Sequence, residues 1–187
     1  MKKHLYPIFA EKWYKGGALY FYSDPHFGDP EMPFIRRNYI SDEEQIARIK
    51  SVVHKNDTLV VLGDVGDPTL FKGVKGYKIL ICGNHDRGAS YYADYFDEVY
   101  TGPLMISDRI LLSHEPIKLP FVFNIHGHDH SGYEDHAAHH FNMCAEHIDY
   151  TPVSFKTIIE SGMLKDVPDI HRITIDGAAR KYDKSLD

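Results

Sequence analysis

The 187-residue chain carries 21 Lys and Arg against 27 Asp and Glu, a formal net charge of −6. That balance excludes the broad basic stripe that backbone-driven nucleic-acid binding needs, while leaving room for a short phosphoester. An apolar fraction of 43% excludes disorder, and the length suits one domain over residues 1–187 that buries roughly 70% of its unfolded surface.

The N-terminus starts basic, but Glu11, Lys12 and Lys15 interrupt any apolar stretch before it could serve as a signal region. No window approaches the length of a membrane span. Only two cysteines occur, Cys82 and Cys144, and they read as small buried thiols of a reducing compartment. The expectation is a cytoplasmic protein with no membrane partner.

Along the chain, five short apolar runs each stop at a cluster of His, Asp or Asn. Residues 18–22 lead to Asp24 and His26. A capping box follows, with Ser41 as N-cap and Glu44 three residues on, and Ile46, Ile49, Val52 and Val53 recur at helical spacing. The strand 58–62 then leads to Gly63, Asp64 and Asp67, completing a strand–helix–strand unit. Strand 77–82 ends at Gly83, Asn84, His85 and Asp86, and a helix is expected over 90–96. Strands are expected at 99–101, 104–107, 109–113, 121–125, 140–145 and 170–175, with Cys144 inside the fifth of these. A helix over 154–161 stops at Gly162, and the chain from about Arg180 should fray. This predicts an α/β protein, two β-sheets packed as a sandwich and flanked by α-helices.

Ligands of such sheets sit where the carboxyl ends of strands emerge. The blocks supply carboxylates at Asp24 and Asp64, imidazoles at His26, His114, His128 and His130, and a carboxamide at Asn84. Mixed oxygen and nitrogen donors without thiolate suit Mn²⁺, Fe, Zn²⁺, Co²⁺ or Ni²⁺. Seven donors are too many for one ion but suffice for two if one carboxylate bridges, the usual arrangement for phosphoester displacement. Asp-x-His and Gly-His-x-His place side chains at i and i+2, on one side of an extended segment. Gly63, Gly83 and Gly127 would allow the backbone to turn sharply between strand and ligand.

The ordered set Asp-x-His, Gly-Asp-x-x-Asp, Gly-Asn-His-Asp, His and Gly-His-x-His, from Asp24 to His130, resembles the signature of calcineurin-like metallophosphoesterases. The resemblance implies that Asp24, His26 and His130 hold one ion, that Asn84, His114 and His128 hold a second, and that Asp64 bridges them. It implies a bridging hydroxide as nucleophile, His85 as general acid beside the phosphoryl group, and Asp67 as the carboxylate that orients the His85 ring. Asn84 and His85 would also meet the substrate. Where protein phosphatases of this family carry a phosphate-gripping Arg, this chain has Pro68, which argues against phosphoprotein substrates. Arg36 and Arg37, in the loop after the first block, and Arg87 are candidate phosphate contacts.

The function expected from these residues is hydrolysis of small phosphoesters, chiefly diesters, by a hydrolase with two divalent ions, Mn, Fe, Zn, Ni or Co. The alternatives are a phosphomonoesterase or nucleotidase, or a non-catalytic scaffold of the same fold, which would be expected to lose ligands or the acid histidine. A nuclease is disfavoured by the acidic charge. Among the 13 histidines, His4, His54 and His171 stand outside any block, His126 should sit behind the ligands, and His136, His139, His140 and His147 read as loop and strand residues rather than a second metal patch. Asp29 and Asp129 read as polar neighbours of ligands, and Asp86 as an anchor of its loop.

Overall fold

The computed structural model describes residues 2–36, 38–132, 139–167, 174–175 and 177–179. It is a mixed α/β structure with two mixed sheets. The first is ordered β4-β3-β2-β1-β9. In it β1 (Leu19–Tyr22), β2 (Thr58–Val61), β3 (Tyr77–Ile81) and β4 (Glu98–Tyr100) run parallel, and β9 (Val153–Ser154) pairs antiparallel to β1. The second is ordered β5-β6-β7-β8. Here β5 (Leu104–Met105) is antiparallel to β6 (Ile110–Leu112), while β7 (Phe123–His126) and β8 (His140–Asn142) continue in parallel.

Strand alternation sorts the apolar residues into two layers. Leu19, Phe21, Val60, Ile79 and Ile81 of the first sheet join Ile110, Leu112, Phe123 and Ile125 of the second in one buried cluster. On the other face of the first sheet, Tyr22, Leu59, Val61 and Leu80 pack with Ile46 and Ile49 of helix α3 (Asp42–Val52). Burial of each of those isoleucines contributes about 1.5–3 kcal/mol. Ser41 caps α3 as expected, its side chain accepting from Glu44 N–H, while the Glu44 carboxylate turns to Arg48 at 2.9 Å rather than back to Ser41.

Two helices arise where periodicity gave no signal. Helix α1 (Pro7–Trp13) buries only Ala10 and Trp13, and α2 (Met32–Ile35) is a single turn. The helix expected over 90–96 is shorter, α4 (Ala89–Tyr92). The chain turns after it because Asp97 must pair in both directions with Lys78 to start β4. Helix α5 (Phe155–Glu160) is capped by Ser154 and stopped by Gly162 at φ 82°. Cys144 lies beyond β8 rather than inside it. Asn142 turns its side chain back to accept Cys144 N–H at 2.9 Å, which ends the strand.

Of the strand expected over 170–175, Thr174 and Ile175 are described and are helical. His171, His136, Arg37 and the segment from Arg180 lie outside the described residues. Both cysteines are free thiols, Cys144 buried and Cys82 half-buried. Among the described residues, no helix is long and apolar enough to cross a membrane.

Candidate metal centre

The ligand-type residues emerge at the carboxyl ends of β1, β2 and β3 in one sheet and β6 and β7 in the other. Asp24, Asp64, His26 and His114 are buried, His130 is half-buried, and Asn84 and His128 reach the surface. The structure thus brings all seven into one cluster. The local reason differs from strand alternation. Asp24 (φ 53°), His26 (φ 49°), Asp64 (φ 50°) and His128 (φ 68°) have left-handed backbone, a conformation that L-residues adopt at a cost of about 1–3 kcal/mol and that concentrates at functional sites. The i, i+2 pairs therefore converge through kinks, not through an extended segment.

The glycines also act differently from expectation. Gly63 does turn at φ 94°. Gly83 and Gly127 are needed for space: a Cβ at Gly83 would lie 2.2 Å from Asp64 Oδ1, and one at Gly127 2.2 Å from Asp24 Oδ2.

Asp64 Oδ2 lies 3.4 Å from His114 Nε2 and 3.5 Å from His26 Nε2. Asp24 Oδ1 lies 3.6 Å from His130 Nε2 and 3.9 Å from His26 Nε2. Asn84 Oδ1 sits 2.8 Å from His114 Nε2 and 3.0 Å from His128 Nδ1. Among the described residues, three groups could hold a metal ion: Asp24, His26 and Asp64; Asp64, His114 and His128; and Asp24, His130 and Cys144. The first two share Asp64. Asp24 Oδ1 and His26 Nε2 are buried without a hydrogen-bond partner, an arrangement that costs free energy unless a ligand completes it. The mixed oxygen and nitrogen donors present fit a metal ion.

The protonation states follow from this crowding. Burial pulls the His114 imidazole down, but the Asp64 hydrogen bond, the charges of Asp24 and Asp64 and the Leu62 carbonyl together push it up to about 9. Burial raises Asp64, yet His114 and the His85 N–H outweigh it and hold the carboxyl below its ordinary value. Burial lowers His26 against the pull of both aspartates.

His85 is exposed at the rim of the cluster, its N–H on Asp64 Oδ1 at 3.0 Å and its ring 5.6 Å from that of His26. Asp67 makes no hydrogen bond or ion pair with His85; its carboxylate accepts Thr69 N–H at 2.9 Å and caps the 3-10 turn Pro68–Gly73. Arg36 is likewise not a surface group. Its side chain is 1% exposed, and Nη2 donates to the Asp24 carbonyl, so direct substrate contact gives way to an inward role. Arg87 stays at the surface over the Tyr91 ring. Asp86 anchors its loop as expected. Asp29 Oδ2 is 3.9 Å from His26 Nδ1. His126 is buried and packs edge-on to His140, and His147 Nε2 bonds the carbonyls of Asp129 and His130.

Two residues of the site carried no sequence signal. Cys144 Sγ lies 3.3 Å from Asp24 Oδ2. Glu146 Oε1 bonds His130 Nδ1, and its Oε2 is 3.3 Å from Arg36 Nε. Burial raises the Glu146 carboxyl, but His130 and Arg36 more than offset this and keep it below its ordinary value.

No family model matches the chain, and no curated protein does. Among solved structures, a protein of unknown function from Aquifex aeolicus, AQ665, is 28% identical with a TM-score of 0.65, over 76% of this chain and 98% of that one. Pseudomonas putida nuclease MPE is 21% identical with a TM-score of 0.46, over 63% of this chain and 64% of its own.

Proposed function

We propose that this chain is a metal-dependent phosphoester hydrolase of the calcineurin-like type, acting on small phosphoesters and chiefly on diesters. The observation that carries this reading is the pair of candidate ion groups sharing Asp64. Asp24, His26 and His130 would hold one divalent ion, Asn84, His114 and His128 the other, and Asp64 both. Bound divalent ions supply Lewis acidity toward a phosphoryl oxygen and acidify water enough to attack phosphorus at neutral pH.

The protein's own groups divide the remaining work. His85, whose N–H bonds Asp64 at the rim, would give a proton to the departing ester oxygen. Asp67 caps the turn that follows Asp64 and so shapes that loop. Diester preference is supported by cavities at the two ends of the cluster. One of about 620 Å³ is lined by Ile35, Asn38, His130 and His147, and one of about 240 Å³ by Asn84, Thr101, Pro103 and His114. A phosphoryl group between them has room for an ester arm on each side.

The test is hydrolysis of bis(p-nitrophenyl) phosphate and p-nitrophenyl phosphate with Mn²⁺, Ni²⁺, Fe²⁺ or Zn²⁺ supplied separately. The expected result is faster turnover of the diester and a loss of at least about 100-fold in Asp64→Asn. Faster monoester turnover replaces the diester reading with that of a phosphomonoesterase. No turnover of either ester with any ion overturns the enzyme reading in favour of a scaffold.

A further inference from the structure

Four residues from four separate segments close a ring beneath the candidate centre. Asp24 Oδ1 faces His130 Nε2 at 3.6 Å. His130 Nδ1 bonds Glu146 Oε1. Glu146 Oε2 lies 3.3 Å from Arg36 Nε, close enough for an ion pair but off the hydrogen-bond line. Arg36 Nη2 returns to the backbone carbonyl of Asp24. The Arg36 and Glu146 side chains are only 1% and 11% exposed, so solvent screens the pair little.

Each contact has a directional consequence. An ionised carboxylate can only accept, so the bond to Glu146 requires the proton on His130 Nδ1 and leaves Nε2, the nitrogen beside Asp24, to meet an ion. A carboxylate on the far nitrogen of a ligating histidine fixes its tautomer and ring angle. His114 differs, since its far nitrogen bonds the Leu62 carbonyl at 2.8 Å and has a carboxylate, Asp24 Oδ1, no nearer than 4.0 Å. At the other end of the ring, Asp24 stands at φ 53°, and Arg36 Nη2 holds the carbonyl that this kink presents. Lysine, a point donor, could not serve both Asp24 and Glu146 with one planar group.

We propose that Arg36 and Glu146 are positioning residues that preset Asp24 and His130, and so set the affinity of one of the two ion sites and not the other. The proposal rests on the metal reading above. Its test titrates wild type, Glu146→Ala, Glu146→Gln and Arg36→Lys with Mn²⁺ by calorimetry, and reads the His130 ring by ¹⁵N NMR in the metal-free and Zn²⁺-loaded protein.

Glu146→Ala is expected to weaken one binding event by about 10–100-fold and spare the other, with loss of the Nδ1–H tautomer at His130. Glu146→Gln, whose amide oxygen still accepts the imidazole N–H, should keep the tautomer and restore most of the affinity. Arg36→Lys should weaken the same event. If Glu146→Ala does not fold, Glu146→Gln and Arg36→Lys decide the matter. Two wild-type binding events that the variants reproduce, or an equal weakening of both with the tautomer unchanged, would overturn the positioning role alone. A wild type that binds no divalent ion overturns it together with the metal reading.

Discussion

Asp86 Oδ2 accepts the backbone N–H of Asp64 at 2.9 Å. The same carboxylate takes the N–H groups of Val65 (2.9 Å) and Gly83 (2.8 Å) and the hydroxyl of Tyr92 (2.8 Å). One side chain thereby ties the loop after β2 to the loop after β3, the two loops that carry Asp64 and Asn84. Asp86→Ala would leave three backbone donors short of a partner, at about 1–3 kcal/mol each where water cannot reach them. We expect a loss of about 3 kcal/mol in urea unfolding, and a smaller loss for Asp86→Asn, which keeps one acceptor oxygen. An Asp86→Ala protein as stable as wild type would refute the anchoring role.

Gly83 makes a complementary prediction that concerns space. A methyl group there meets Asp64 Oδ1 at 2.2 Å, Asp64 N at 2.8 Å and the His114 ring at 2.8 Å. Gly83→Ala must displace the shared carboxylate, and divalent-ion affinity should fall by more than about tenfold. Gly102→Ala is the control, because a Cβ at that position meets nothing within 4 Å. Calorimetric titration of both variants checks the pair.

How much of this was readable from the sequence depends on what kind of contact made each feature. Asp24, His26, Asp64, Asn84, His114, His128 and His130 were legible because such residues rarely end apolar runs, and all seven converge. Helix α3 was legible because its signals, Ser41, Glu44 and the Ile46–Ile49 spacing, are local. Helix α1 was not: Tyr6 gives it no side-chain cap, and its place is set by Trp13, whose indole N–H meets Glu98 85 residues away. Glu146 and Arg36 were misread or missed for the same reason. Nothing local marks Glu146 as a partner of His130, and a loop arginine reads as a surface group until packing turns it inward. The kinks at Asp24 and His26 are likewise imposed by tertiary bonds, such as Asp24 N–H to Gly63 and His26 N–H to Asp64, which spacing cannot reveal.

The Glu98 site supplies a pH prediction far from the cluster. Its buried carboxylate meets Trp13 Nε1 at 3.1 Å, Lys12 Nζ at 2.9 Å and the Tyr100 hydroxyl. Burial pushes the carboxyl up, but Lys12 and the Tyr100 and Tyr77 hydroxyls together hold it below its ordinary value of 4.5. A carboxyl lowered by folding stabilises in full above its unfolded value, and that contribution is lost as pH falls through the folded value. Urea midpoints measured from pH 7 down to about 3 should therefore fall less steeply in Glu98→Gln than in wild type. Parallel curves would show that Glu98 contributes nothing to the acid limb.

Ion binding should be visible in stability before any substrate is found. Asp24 Oδ1 and His26 Nε2 are buried without partners, and four residues of the cluster hold left-handed backbone, so the metal-free fold carries a local penalty that a bound ion offsets. A ligand that binds the native state alone at 100 times its Kd stabilises by about 2.7 kcal/mol. For a chain of this length, that corresponds to a Tm rise of about 5–10 °C. Mn²⁺ or Zn²⁺ should produce the rise, and a chelator should reverse it. Asp64→Asn should abolish most of it, since both Asp64-containing groups lose their shared charge. A Tm unmoved by either ion in wild type would mean that the convergence of these seven side chains does not make a metal site.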